Sequence, residues 1–231
     1  MLATDKVNQF YGGSHTLWDI DLAVPAKGCV CLMGRNGVGK TTLLKVIMGL
    51  LPAASGKIKF DGADLTGKPP EARARAGIGF VPQGREIFSS LTVEENLRIG
   101  RLGRRGAAAR EVPERVLDLF PALKNMLRRR GGDLSGGQQQ QLAMGRALAL
   151  DPKLLILDEP TEGIQPNVVA EIGDVIMRLA EEGVTVLLVE QKLAFARRVA
   201  LSFCILDRGR TVANGPIADL TDDLVHRHLQ V

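Results

Sequence analysis

Long apolar runs are missing from this 231-residue sequence. No stretch approaches the roughly 20 apolar residues that a membrane-spanning helix needs, so any service to a membrane is expected from its surface. Met1 to Phe10 carries no signal peptide. Cysteine is scarce: Cys29, Cys31 and Cys204 all lie in apolar, strand-like runs, the first two alternating onto one face. A lone C-x-C with no cluster of His or Cys nearby is a weak metal signal, so all three are read as buried core thiols of a reducing compartment. Aromatics are few at 4%, the one departure from an ordinary soluble globular composition. A strong charge of either sign is lacking too. The net charge of +4 suits a membrane-surface neighbour or a nucleotide ligand, and falls short of a dedicated nucleic-acid binder. There is no repeat, no low-complexity segment and no long linker. The length fits one large domain, or one domain with a sizeable insertion.

What is present starts with Gly34-Arg35-Asn36-Gly37-Val38-Gly39-Lys40-Thr41. It fits G-x-x-x-x-G-K-[ST], the phosphate-binding P-loop. The apolar run Cys29 to Met33 before it reads as a buried strand, and Thr41 to Gly49 after it reads as a helix. Backbone N–H groups can surround a triphosphate only where side chains stay away, which Gly34, Gly37 and Gly39 provide. The helix aims its positive end at the phosphates. Lys40 is expected to reach the β- and γ-phosphates as a point charge, and the Thr41 hydroxyl to ligate Mg²⁺. A Gly-rich turn with a chance lysine is the plainer reading, and the flanking strand and helix speak against it.

The remaining chain reads in order. Val7 to Leu22 is an antiparallel hairpin region turning at Gly12-Gly13, with Tyr11 at its tip. That tyrosine either stacks on a purine ring or packs on the domain edge. Gly56 to Phe60 is a strand, Pro69 to Ala76 a helix, and Gly77 to Val81 a strand ending at Pro82-Gln83-Gly84. Gln83 stands where an α/β sheet meets a ligand, or is a surface glutamine. From about Phe88 to Ala149 strands vanish and helices dominate. Thr92 with Glu95 is a capping box, and Ala107 to Phe120 reads as helix. This block is expected to be a helical subdomain inserted in the sheet domain. Its basic clusters, Arg104-Arg105 and Arg128-Arg129-Arg130, face lipid or an acidic partner, or are solvated faces. Leu134-Ser135-Gly136-Gly137-Gln138 is a glycine turn starting a helix that runs from Gln138 to Leu150. Its N–H groups and Ser135 make a second anion site.

Leu154-Leu155-Ile156-Leu157 followed by Asp158-Glu159 is a buried strand delivering two carboxylates to its edge. Asp158 is expected to hold Mg²⁺, and Glu159, pointing elsewhere, to orient an attacking water and accept its proton late. Val168 to Glu182 is a helix, Val184 to Val189 a strand ending at Glu190-Gln191. Leu201 to Leu206 is a further strand with a hairpin after Asp207-Arg208-Gly209, and Ala218 to Leu229 looks helical.

Gly34–Thr41, Gln83, Leu134–Gln138 and Leu154–Glu159, in that order and spacing, resemble an ABC transporter ATP-binding subunit. The resemblance covers nearly the whole chain. It implies an α/β fold: a P-loop NTPase core sheet, an antiparallel β subdomain and a helical subdomain at about 88–150, all in one ABC ATPase domain over 1–231. It implies an ATPase with ATP and Mg²⁺. Tyr11 matches the aromatic on adenine. Asn36, Gly37, Gly39, Lys40, Thr41 and Thr42 match phosphate and Mg²⁺ ligands. Gln83 matches the glutamine that touches Mg²⁺ and the attacking water. Ser135 and Gly137 match the residues that grip the γ-phosphate on the other subunit, and Asp158 and Glu159 the Mg²⁺ ligand and the base. Implied partners are a second ABC ATPase subunit and two transmembrane permeases, at the cytoplasmic face of the inner membrane. No nucleic acid and no direct contact with the solute is expected. The segment Gly84 to Phe88 is the expected permease contact, with Phe88 as an apolar anchor or a subdomain core residue.

Two positions depart from the family pattern. Gln165 stands where an Asp is usual, and Gln191 where a His contacts the γ-phosphate. A glutamine donates a hydrogen bond but carries no charge, so weakened hydrolysis is expected. The pair resembles the ATPases of branched-chain amino-acid and urea importers, and favours a non-identical sibling over a homodimer. Asn8–His15, Arg130–Asp133 with the run Gln138–Gln141, and Thr161–Pro166 look closest to the urea, or short-amide, subunit. The alternatives are a branched-chain amino-acid ATPase, a regulatory subunit with little turnover, and a soluble ABC ATPase acting on nucleic acid. Glu159 argues against the second, and a single ATPase half without a basic arm against the third.

Overall fold

A computed structural model of the chain describes residues 1–102 and 111–229. β1 (Leu2–Tyr11) and β2 (Ser14–Val24) form the expected hairpin, longer at both ends than the sequence pattern indicates. β4 (Ser55–Phe60) and β5 (Ala63–Asp64) extend it into an antiparallel sheet of order β2-β1-β4-β5. The second sheet holds β3 (Gly28–Met33), β6 (Ile78–Val81), β7 (Leu154–Asp158), β8 (Thr185–Val189), β9 (Ser202–Asp207) and β10 (Arg210–Pro216). Its order is β10-β9-β3-β8-β7-β6, parallel except for β10. Parallel strands are covered on both faces, which is why β3, β7 and β8 read as unbroken apolar runs.

Alternate side chains of these strands feed two cores. Val30 and Leu32 join Leu43, Ile47, Ile58 and Phe60, so helix α1 (Lys40–Ile47) lies in a core shared with the antiparallel sheet. Cys29, Cys31 and Met33 join the other core, with Leu97, Leu142, Ile176 and Val199. The three cysteines are buried and free, as read from the sequence, and burial pushes the Cys29 thiol up to about 12.

Between β6 and β7 the described elements are helices: α3 (Val93–Ile99), α4 (Glu114–Leu119), α5 (Pro121–Lys124) and α6 (Gly136–Leu148). Thr92 and Glu95 close their capping box over the first turn of α3. The helix expected over Ala107 to Phe120 needs correction. Within the described residues only Glu114–Leu119 is helical, because Pro113 stands at its N-cap and Pro121 restarts the chain as α5. Ala107 to Arg110 and the Arg104-Arg105 cluster lie outside the described residues. The other helices are α2 (Pro70–Ala76), α7 (Pro166–Glu181), α8 (Leu193–Val199) and α9 (Asp222–His228). The sequence reading assigned no element to α8. Among the described residues no helix is long and apolar enough to cross a membrane.

Register positions the site. Leu32 of β3 and Asp158 of β7 both pair with Val189 of β8. The chain therefore leaves three neighbouring strands at one edge, the place where open α/β sheets bind ligands.

The P-loop helix is held at its far end by one buried side chain. Arg73, on α2 and 3% exposed, donates to Val46 O (2.9 Å), Ile47 O (2.7 Å), Lys68 O (2.9 Å) and Thr66 O (3.3 Å). Val46 and Ile47 end α1, where intrahelical donors run out. A Cβ on Gly49 would stand 2.7 Å from Arg73 Nε, so glycine there makes room for the cap. Arg73→Ala is expected to cost about 1–3 kcal/mol, chiefly through the Ile47 carbonyl left buried without a donor, since Val46 O keeps the Gly49 N–H at 3.1 Å. Thermal unfolding measures this, and an unchanged melting temperature refutes the cap.

Candidate active site

The chain leaves β3 through Gly34, at φ 150°, where a Cβ would meet Leu206 O at 2.3 Å. Gly37 (φ 79°) and Gly39 (φ 108°) follow, and Gly39 is the N-cap of α1. All three conformations favour glycine. The loop wraps the Lys40 ammonium: Nζ donates to Gly34 O at 2.8 Å and Arg35 O at 2.9 Å, and lies 3.9 Å from Glu159 Oε1. Burial pulls the Lys40 pKa down, while the carboxylates of Glu159 and Asp158 oppose that shift. The cleft in front of this lysine measures about 560 Å³. Asn36, Gly37, Gly39, Lys40, Thr41 and Thr42 line it, together with Gln83, Glu159 and Gln191.

Asp158 ends β7 at 1% exposure, and neither carboxylate oxygen has a hydrogen-bond partner. Burial raises its pKa; the Thr41 hydroxyl and the Lys40 charge pull the other way without cancelling it. A buried carboxylate left bare is costly unless a cation arrives. With the Thr41 oxygen beside it, the donor set fits a hard divalent ion such as Mg²⁺. Glu159, the next residue, sits at φ 49°, left-handed backbone that a non-glycine residue seldom adopts. Glu159 N donates to Val189 O at 3.0 Å, and its Oε1 accepts from Gln191 Nε2 at 2.6 Å. The same Nε2 donates to Asn36 Oδ1 at 2.7 Å. Gln191 thus bridges the P-loop and the carboxylate. Gln83 Nε2 donates to Glu162 Oε2 at 2.8 Å.

Gly34 and Asp158 adjoin the cleft through Lys40 and Glu159 without lining it, and three further expected site residues stand apart from it. Tyr11 is 47% exposed at the hairpin tip. Ser135 caps α6, its Oγ accepting from Gln138 N and its N–H donating to Gln138 Oε1. A Cβ on Gly137 would stand 2.9 Å from Val168 Cγ2, so this glycine also lets α6 approach α7. The spacing S-x-x-Q was a readable capping box, and it starts α6 two residues earlier than the sequence reading has it. Phe88 is 46% exposed beneath the Arg146 guanidinium, 5.1 Å from its ring centroid, and not in the core. Glu190, Thr161 and Lys192 line the cleft and were missed. The available signal was an acid directly after an apolar strand, the pattern that singled out Asp158.

Two packed sheets with a P-loop at the carboxyl edge, a strand-end Asp-Glu pair and a Ser-capped Gly-Gly-Gln helix define an ATP-binding cassette. A family model described as "ABC transporter" matches residues 17–162. The chain belongs to this family and is an ABC-type ATPase. It is 44% identical over 212 residues to the high-affinity branched-chain amino acid transport ATP-binding protein BraG of Pseudomonas aeruginosa, covering 92% of this chain and 91% of the relative. It is 37% identical over 223 residues to the probable branched-chain amino acid transport ATP-binding protein LivF of Archaeoglobus fulgidus, covering 96% and 94%. A dimeric post-hydrolysis ATP-binding cassette bound to ADP and Pi superposes with a TM-score of 0.84 at 26% identity, covering 94% of this chain and 99% of that one. The names of both relatives carry branched-chain amino acids, the alternative solute, and not urea.

The bare Asp158 carboxylate makes function and stability oppose each other. Asp158→Asn is expected to raise the melting temperature of the ligand-free chain, by about 1 kcal/mol of stability, because a buried uncompensated charge is removed. The same variant should lose the extra stabilisation that Mg²⁺ adds to bound ATP. Thermal melts with and without Mg²⁺-ATP read both, and an intact Mg²⁺ effect in the variant contradicts the assignment.

Proposed function

We propose that the chain is the ATP-hydrolysing motor subunit of an importer for branched-chain amino acids, working as one of two ABC ATPases on two membrane permeases. The observation that carries the motor reading is the cleft lined by Lys40 and a Glu159 held by Gln191, with the bare Asp158 carboxylate one residue before Glu159. The branched-chain solute is supported by the names of the two relatives. The stretches Asn8–His15, Arg130–Asp133 and Thr161–Pro166 favour urea or a short amide as the second reading. The ATPase itself meets neither solute.

Each residue has a task. Gly37, Gly39 and the first turn of α1 cradle the phosphates with backbone N–H groups, Asn36 and Thr42 border them, and Gly34 lets the loop close. Lys40 exchanges Glu159 for the β- and γ-phosphates. Thr41, Asp158 and Gln83 would hold Mg²⁺, whose bound charge offsets that of the phosphates. Gln83 gives up Glu162 to do so. Glu159 orients the attacking water and accepts its proton as the water oxygen bonds the γ-phosphorus and the bond to the β–γ bridging oxygen breaks, releasing ADP and phosphate. Gln191 donates its amide without charge, so hydrolysis is expected to be weaker than with a charged group there. Tyr11 stacks on adenine. Ser135 and Gly137 reach the γ-phosphate bound by the other subunit, so ATP joins two subunits and hydrolysis frees them. The helices within about 88–150, with Phe88 on their exposed side, form the inserted block that meets the permeases at the cytoplasmic face. The partner is a non-identical sibling, with a homodimer as the other arrangement.

Glu159→Gln should retain ATP and lower turnover by about 10²–10⁴-fold, the usual range for losing a general base. Steady-state hydrolysis and size-exclusion chromatography of the ATP-bound variant check this, and full turnover removes Glu159 from the role. In proteoliposomes with the cognate permeases, uptake of leucine or valine supports the first solute reading. Uptake of urea alone replaces it with the second.

A further inference from the structure

Glu190 is 3% exposed and follows the apolar strand β8 directly. A carboxylate at that depth is tolerated only with hydrogen bonds to its oxygens. It has them. Oε1 accepts from the backbone N–H of Gln191 at 2.8 Å and of Lys192 at 2.9 Å. Oε2 accepts from Thr161 Oγ1 at 2.7 Å, and Thr161 is fully buried. Lys192 Nζ donates back to Thr161 O at 2.9 Å. The loop leaving β8 and the loop leaving β7 are therefore sewn together beside Glu159.

We propose that Glu190 is a positioning residue for the ATPase reaction, a splint that fixes the Gln191 backbone so that its amide meets Glu159. The inference rests on the reading of Glu159 as the group that takes the water's proton. Gln191 reaches Glu159 Oε1 and Asn36 Oδ1 with one nitrogen, at 2.6 and 2.7 Å. A neutral amide on a flexible stem has no charge to draw it to that geometry. A fixed backbone supplies the pre-organisation instead. Glu159 is then steadied at both ends, by Val189 O at its backbone and by Gln191 at its carboxylate. Glu190 has no part in holding nucleotide. A carboxylate donates nothing to a phosphate, and both its oxygens are already taken.

The conservative variant separates positioning from bulk structure. In Glu190→Gln, the amide oxygen can accept both backbone N–H groups, and the amide nitrogen can donate to Thr161 Oγ1, reversing that one bond. In Glu190→Ala, all three donors lose their acceptor. The experiment uses the purified full chain with Mg²⁺-ATP, supplemented with the sibling ATPase where turnover requires it. Glu190→Ala should lower kcat by about tenfold to a hundredfold, the scale expected for a misplaced catalytic group, with ATP affinity within about threefold of wild type. Glu190→Gln should recover kcat to within about threefold. Adding Glu190→Ala to Glu159→Gln should slow the reaction no further, because Glu190 acts through Glu159. In the nucleotide-free chain, hydrogen exchange at Gln191 and Lys192 should speed up in Glu190→Ala and stay slow in Glu190→Gln. A wild-type kcat in Glu190→Ala overturns the proposal. So does a joint fall of kcat, ATP affinity and melting temperature that Glu190→Gln fails to rescue. Full turnover in Glu159→Gln alone defeats the underlying base assignment, and is distinguishable from the case where Glu159→Gln is slow and Glu190→Ala is fast.

Discussion

The Asp158 carboxylate is buried at the end of β7 with no hydrogen-bond donor on either oxygen, beside a lysine that is buried too. Much of the surrounding structure manages those two charges. The P-loop turns its Gly34 and Arg35 carbonyls onto the Lys40 ammonium, and α1 starts at that lysine. Glu159 adds a second carboxylate within 3.9 Å of the same ammonium. Without nucleotide the edge thus holds more negative charge than the lysine offsets. Under the proposed function, a hard cation arriving with a polyphosphate would offset both mismatches: the cation would meet the bare carboxylate, and the phosphates would draw Lys40 from Glu159.

Much of this was legible in the sequence because the chemistry is local. A P-loop is one contiguous turn, and β3, β7 and β8 are apolar enough to be recognised singly. The capping box at Thr92 and Glu95 is fixed by spacing alone. What stayed hidden depends on which strands become neighbours. The bridge from Gln191 to Glu159 and Asn36 joins residues 32 and 155 positions apart, and exists only because Asp158 and Leu32 both pair with Val189. The contact of Glu190 with Thr161 stayed hidden for the same reason, since Thr161 comes from a different loop, although an acid directly after an apolar strand was there to be read. Helix α8 has seven residues, too few for its periodicity to stand out. The stretch before Glu114 was misread because helix-forming composition outweighed Pro113, which sets the start of α4. The finer resemblance to a urea subunit rested on short stretches, and the names of the relatives point to the other solute.

The two glutamines give the site its individual character. Gln191 holds the carboxylate by a neutral amide, where a histidine could have added charge. Its precision then depends on backbone geometry, which the Glu190–Thr161 contact restrains. Gln165, the N-cap of α7, makes no side-chain cap bond. It begins the helix against which Gly137 packs. The Ser135 turn is a finished helix cap within its own chain, yet Ser135 and Gly137 do not line the P-loop cleft. Under the proposed function, a cleft that lacks them is half a site, and a second subunit would supply the other half.

The most direct test is the dependence of steady-state ATP hydrolysis on the concentration of the purified chain in Mg²⁺, alone and with added sibling ATPase. A shared site predicts a rate per chain that climbs with concentration, or on addition of the sibling, and collapses on dilution. A rate per chain that stays constant down to concentrations where only monomer remains would contradict the account, because one chain would then complete its own site. Absence of hydrolysis in both arms would contradict it equally.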